Sequence, residues 1–168
     1  MSVYRQGQAD GLCGLYALIH FLNQQTEWRE RPHKGMWYLL ESCRHFGWLT
    51  PHYMTEGLED YQLKAILDLQ IANYRLNFVT SYVADFIQSA RSSSYRELLE
   101  RVVAAGGSAI VNRGKGHWVL VTKGPKGPEI IDSGSYENPR SALSNRLQDD
   151  GWGIVVLPCN RPQISVDL

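Results

Sequence analysis

Cysteine is scarce in this chain: Cys13, Cys43 and Cys159 are its only three in 168 residues. Three thiols so far apart build neither a disulfide scaffold nor a structural zinc site. His33, His45 and His52 have no ligand-like spacing with them, so no metal and no cofactor is expected. Long apolar runs are also missing. None approaches the ~18 residues of a transmembrane helix, which argues against membrane insertion. The opening MSVYRQGQADG lacks the apolar stretch of a Sec-type signal peptide. A cytoplasmic protein is expected, or one delivered by a secretion route without such a signal. Net charge is absent too. Seventeen lysines and arginines balance seventeen aspartates and glutamates, so no bulk field points to nucleic acid or an anionic membrane. No repeat, low-complexity run or linker divides the sequence, and residues 1–168 are expected to form a single domain.

What is present reads as globular: 43% apolar and 20% charged residues. In QADGLCGLYALIHFLN (8–23), Leu12, Leu15, Tyr16, Ile19 and Leu22 follow helical spacing with one core face. A second helix is expected over 36–46, ending near Gly47. A third is expected over 58–69, with Leu58, Tyr61, Ala65 and Leu69 on its core face. Residues 70–80 alternate enough for a strand. Ser94 and Glu97 form a capping box for a further helix that stops at Gly106-Gly107. Short β-rich runs follow at 108–113, 117–123 and 128–132, separated by GKG and GPKG turns, which predicts an antiparallel meander. Asn138-Pro139 reads as the start of a helix to about residue 149, and 152–157 as a last strand. Helices precede the sheet, so the expected class is α+β.

Cys13 falls in the first turn of the first helix, with Asp10 or Gly11 as the expected N-cap. Unpaired backbone N–H groups and the positive dipole end favour thiolate there, and thiolate is the nucleophile. Gly14 keeps the backbone beside the thiol uncluttered for an approaching carbonyl. His117 opens a strand just after the GKG turn. If the GPKG turn pairs Lys123 with Pro128, Asp132 becomes the diagonal neighbour of His117 on one sheet face, roughly 7–8 Å away and within side-chain reach. Each residue also has an ordinary reading: a small buried thiol, a sheet-edge histidine, a strand-ending aspartate that caps a turn. Together they compose a nucleophile, a base and an orienting acid. The Gln8 amide could join the Cys13 backbone N–H in binding an oxyanion. Trp118 adjoins the base and could wall a substrate cleft.

These residues resemble the papain-like cysteine peptidase superfamily. The likeness rests on Gln8, Leu12-Cys13-Gly14 with the helix they open, Gly116-His117-Trp118 with its apolar strand, and Asp132, in that chain order. Two branches are similar. One is the double-glycine peptidase domain of bacteriocin exporters, through the Cys-Gly pair and the His-aromatic strand followed by a strand ending in aspartate. The other is the Josephin-type deubiquitinase, through the five-residue gap from Gln8 to Cys13, His117-Trp118 and the closing ALSNRLQDDGWGIVVLP. Josephins carry asparagine where this chain has Asp132. Residues 25–105 match neither. The resemblance implies a papain-like fold, with a nucleophile-bearing helix packed on a C-terminal antiparallel sheet. It implies Cys13, His117, Asp132 and Gln8 as catalytic residues, and Trp118, Gly14 and Gly116 beside the substrate.

The expected function is thiol-dependent hydrolysis of a peptide or isopeptide bond, with selectivity after glycine one option. The substrate would be a protein or peptide, and a regulatory or substrate-presenting protein partner stays open. A glutamine deamidase or transferase would use the same chemistry with a different leaving group. A peptidoglycan amidase would require export. A binding module without catalysis would be favoured by a buried Cys13 with His117 turned away.

Overall fold

Antiparallel pairing runs through a sheet of β1 (Phe78–Tyr82), β2 (Ser108–Asn112), β3 (Trp118–Gly124), β4 (Gly127–Ile131), β5 (Arg140–Ala142) and β6 (Gly153–Pro158). Their spatial order is β1-β6-β2-β3-β4-β5. The computed structural model describes residues 11–25, 28, 32–85, 94–114, 116–135, 138–143, 147 and 152–159. Helices α1 (Cys13–Leu22), α2 (Pro32–His45), α3 (Pro51–Glu56) and α4 (Asp60–Asn73) precede β1, and α5 (Tyr95–Ala104) precedes β2. The class is α+β.

Strands β2, β3 and β6 lie in the middle and read as near-continuous apolar runs, because helices cover both faces of the sheet. Residue alternation sorts their side chains. Ile110, Trp118, Leu120, Ile131 and Ile154 pack with α1, α2 and α4 in one core layer. Ala109, Val111, Val119, Val121 and Val155 pack with α5 in the other. The turn after β3 pairs Lys123 with Pro128, as the GPKG spacing implies.

Helix α1 is buried on almost every side rather than along one stripe, because the sheet, α2 and α4 surround it. A helix apolar all round is a buried one. Gly14 makes part of that fit. A Cβ there would stand 2.6 Å from Leu63 Cδ2 of α4, so its missing side chain lets α4 approach.

Four expectations need correction. Helix α3 was not anticipated; Thr50 caps it, accepting from Tyr53 N, and Pro51 takes the first turn. Helix α4 turns Gln62, Leu63, Ile66, Leu67 and Gln70 inward, and Tyr61 is 51% exposed. Polarity hid that face: Gln62 is held in a capping box with Glu59, and Gln70 Nε2 donates to Ser42 Oγ. The strand expected over 70–80 begins only at Phe78, since α4 runs on to Asn73. Arg75 then takes φ 53°, the left-handed stop that glycine usually supplies. The helix expected from Asn138 is replaced at 140–142 by β5, which pairs along the outer edge of β4. Residues 144–146 and 148–150 lie outside the described residues.

Candidate active site

Leu12, not Asp10 or Gly11, stands at the N-cap of α1, with no side-chain capping bond. Cys13 is therefore the first helical residue. The opening N–H groups of a helix have no partner within it, and its dipole is positive at that end. Cys13 as a residue is 5% exposed. Its Sγ lies 3.6 Å from the Gly116 carbonyl oxygen and accepts from Trp118 N at 3.4 Å. The start of α1 thus meets the start of β3.

Between β2 and β3, Arg113 N donates to His117 O at 2.7 Å and His117 N donates to Gly114 O at 3.1 Å. Gly114 and Gly116 have φ of 101° and 73°, values that favour glycine. This turn delivers His117 at the mouth of β3. Its Nε2 lies 2.7 Å from Asp132 Oδ1. That contact occupies Nε2, and the Cys13 side chain is near enough to act on the imidazole as well. Asp132 follows β4 directly and is fixed by three contacts. Gly134 N donates to Oδ1 at 2.9 Å, Arg113 Nη1 donates to Oδ2 at 2.6 Å, and Asp132 N donates to Pro139 O at 2.9 Å.

Hydrogen bonding to Asp132, and then to Cys13, pushes the His117 pKa up to about 9 against the opposing effect of burial. Burial by itself would raise the Asp132 carboxyl. The imidazole, Gly134 N–H and Arg113 outweigh it and hold the carboxyl below its ordinary value. Both directions describe one ion pair at neutral pH. By contrast, burial pushes the Cys43 thiol up to about 11.

The structure brings Cys13, His117 and Asp132 together. Trp118 and Gly116 stand beside them and line a cleft of about 370 Å³. Its far wall is α3 and the loop after it, with Trp152 at the rim. Trp118 Nε1 donates to Leu58 O at 2.9 Å and ties the two walls together. Gly14 is buried against Leu63, so the side it was expected to leave open is occupied. Gln8 lies outside the described residues.

Sequence reading missed Arg113 and Gly134. The register of the β2–β3 hairpin could have found Arg113, because Asn112 pairs with Trp118 and the next pair outward is Arg113 with His117. Gly134 carries no such sign. Its role is room: a Cβ there would sit 3.0 Å from His117 Cε1.

Among the described residues no cluster of three or more histidine, cysteine, aspartate or glutamate side chains could hold a metal. No helix among them is long and apolar enough to cross a membrane. Comparison with known protein families, with curated proteins and with solved structures finds no match.

Proposed function

We propose that this chain is a thiol-dependent amide hydrolase of papain-like type, acting on a protein or peptide through Cys13, His117 and Asp132. One observation carries the reading. A single imidazole is held by a buried carboxylate through Nε2 and lies close to a thiol that opens a helix. A raised His117 pKa keeps that imidazole cationic at neutral pH, ready to protonate a leaving amine.

The sulfur attacks the carbonyl carbon of the scissile amide, and the Cys13 N–H helps hold the oxyanion. Imidazolium His117 protonates the nitrogen as the C–N bond breaks, leaving a thioester on Cys13. His117, now neutral, takes a proton from water. The hydroxide oxygen replaces sulfur and the carboxylic acid departs. Asp132 keeps the ring oriented throughout.

The burial of Cys13 favours a second reading, a binding module with an idle thiol. His117 lies close enough to Cys13, however, for the thiol to act on its pKa. Alkylation decides between them. At pH 7, iodoacetamide is expected to label Cys13 at least tenfold faster than Cys43 or Cys159, as read by peptide mass spectrometry. His117→Ala should remove that advantage, and lower any turnover by roughly 10²–10⁴. Equal labelling of Cys13 and Cys159 in the native chain would sink the hydrolase reading. On a protein substrate, chain cleavage marks a peptidase and a one-dalton mass increase marks a deamidase.

A further inference from the structure

The cleft beside Cys13 has a chemistry of its own. It is lined by Gly116 and Trp118, which also contact Sγ through their backbone. A group seated in it is therefore a neighbour of the scissile carbonyl. Gly116, just before β3, offers open space where a side chain would stand, so this residue puts no side chain between cleft and sulfur. The walls carry Tyr53 and Trp152, the latter 49% exposed, with the buried Trp118 at the inner side. Two carboxylates, Glu56 and Glu59, line it together with His52, and among the described residues no lysine or arginine does. Among the described residues, neither carboxylate forms an ion pair with a cationic side chain. Glu59 is partly engaged in capping α4. Glu56, at the end of α3, has no such duty.

Aromatic walls with an acidic edge fit one kind of side chain: a long apolar stem ending in a cation. The stem packs on indole surface, and the charge meets π-faces and carboxylate together. At about 370 Å³, the cleft lies near the lower end of the ~300–1,000 Å³ typical of ligand sites. That suits one large residue of a polypeptide better than a folded ligand. We infer that the cleft is a specificity subsite for a lysine or arginine side chain close to the bond that Cys13 attacks. This rests on the hydrolase reading above and names the substrate class for the same site.

Peptidyl vinyl sulfones that differ at one position (Lys, Arg, Leu or Glu) test it, with adduct formation on Cys13 timed by intact-mass spectrometry. The Lys and Arg probes are expected to label native protein about tenfold or more faster than Leu and Glu. Glu56→Gln should shrink that ratio, Glu56→Lys should turn it toward the Glu probe, and added salt should weaken it. No charge preference, or a preference for Leu, overturns the subsite even while iodoacetamide still singles out Cys13. Should iodoacetamide fail to single out Cys13, the hydrolase reading falls and the subsite with it.

Discussion

The His117 imidazole is held by Asp132 Oδ1 at 2.7 Å, with the Cys13 side chain near enough to act on it as well. With its pKa near 9, it is cationic through the neutral range and loses its proton only above it. A leaving amine needs that proton, so turnover of an amide substrate should fall on an alkaline limb near pH 9. Asp132→Asn removes the largest cause of the raised value. The limb should then move down toward the ordinary ~6.5 of histidine. A pH–rate profile of the two proteins checks this, and a limb unmoved in Asp132→Asn would show that the carboxylate is not its source. Gly134 makes a quieter contribution. Alanine there places a methyl 3.0 Å from His117 Cε1, so the ring must give by a few tenths of an ångström. An ångström of misplacement can cost ~10²-fold in rate. Gly134→Ala is thus expected to slow turnover by roughly tenfold with little change in the unfolding midpoint. Residue type and position together singled out Cys13, His117 and Asp132: a thiol opening a helix, an imidazole opening a strand and a carboxylate ending the paired strand. Arg113 escaped, since an arginine beside a turn is commonplace until the hairpin register aims it at Asp132 Oδ2.

The β2–β3–β4 meander was the most legible element. Its turns are glycine-bearing and short, so pairing follows from counting, and Lys123 does meet Pro128. That register takes Asp132 to His117 from sequence alone. The helices were less legible for reasons that differ. Thr50-Pro51 is a sound start signal, but the six-residue helix it opens is too short to show a period. In α4 two buried glutamines broke the apolar stripe, and hydropathy does not anticipate a polar group that arrives with its partner. In α1 the apolar pattern was clear, yet its extent was not: neighbours on all sides make every face a core face. Gly14 tests that packing. Gly14→Ala drives a methyl against Leu63, which is fully buried. Overpacking costs ~1–3 kcal/mol, and alanine's better helix propensity returns up to ~1. A net loss of about 1 kcal/mol is expected from urea unfolding. Leu63→Val in the same chain should recover part of it, as coupled neighbours do. Simple additivity of the two losses would mean that Gly14 and Leu63 do not meet.

At the scale of the molecule, the site sits where the two halves of the sequence join. Cys13 belongs to the helical half, and His117 and Asp132 to the sheet half. Trp118 binds the two, with its ring against the α1 layer and its Nε1 on Leu58 O. An ion pair at such a seam couples protonation to folding. His117 has a folded pKa above its unfolded one. Its contribution is therefore full below about 6.5 and is lost as pH rises through about 9. Asp132 is shifted the other way. Its contribution is present above the ordinary ~3.9 of aspartate and is lost as pH falls through its lower folded value. Between those limits both hold, so the stabilisation from the pair should form a plateau from about pH 4 to 6.5. Urea unfolding of the native protein and of His117→Ala, at pH 5, 7, 8 and 10, isolates the histidine part. The native advantage is expected to be largest at pH 5, to decline through 7 and 8, and to be nearly gone at 10. An advantage that stayed level across that range would mean that His117 is not held as a cation by its neighbours. The proposed hydrolysis would then lack its proton donor for the leaving amine.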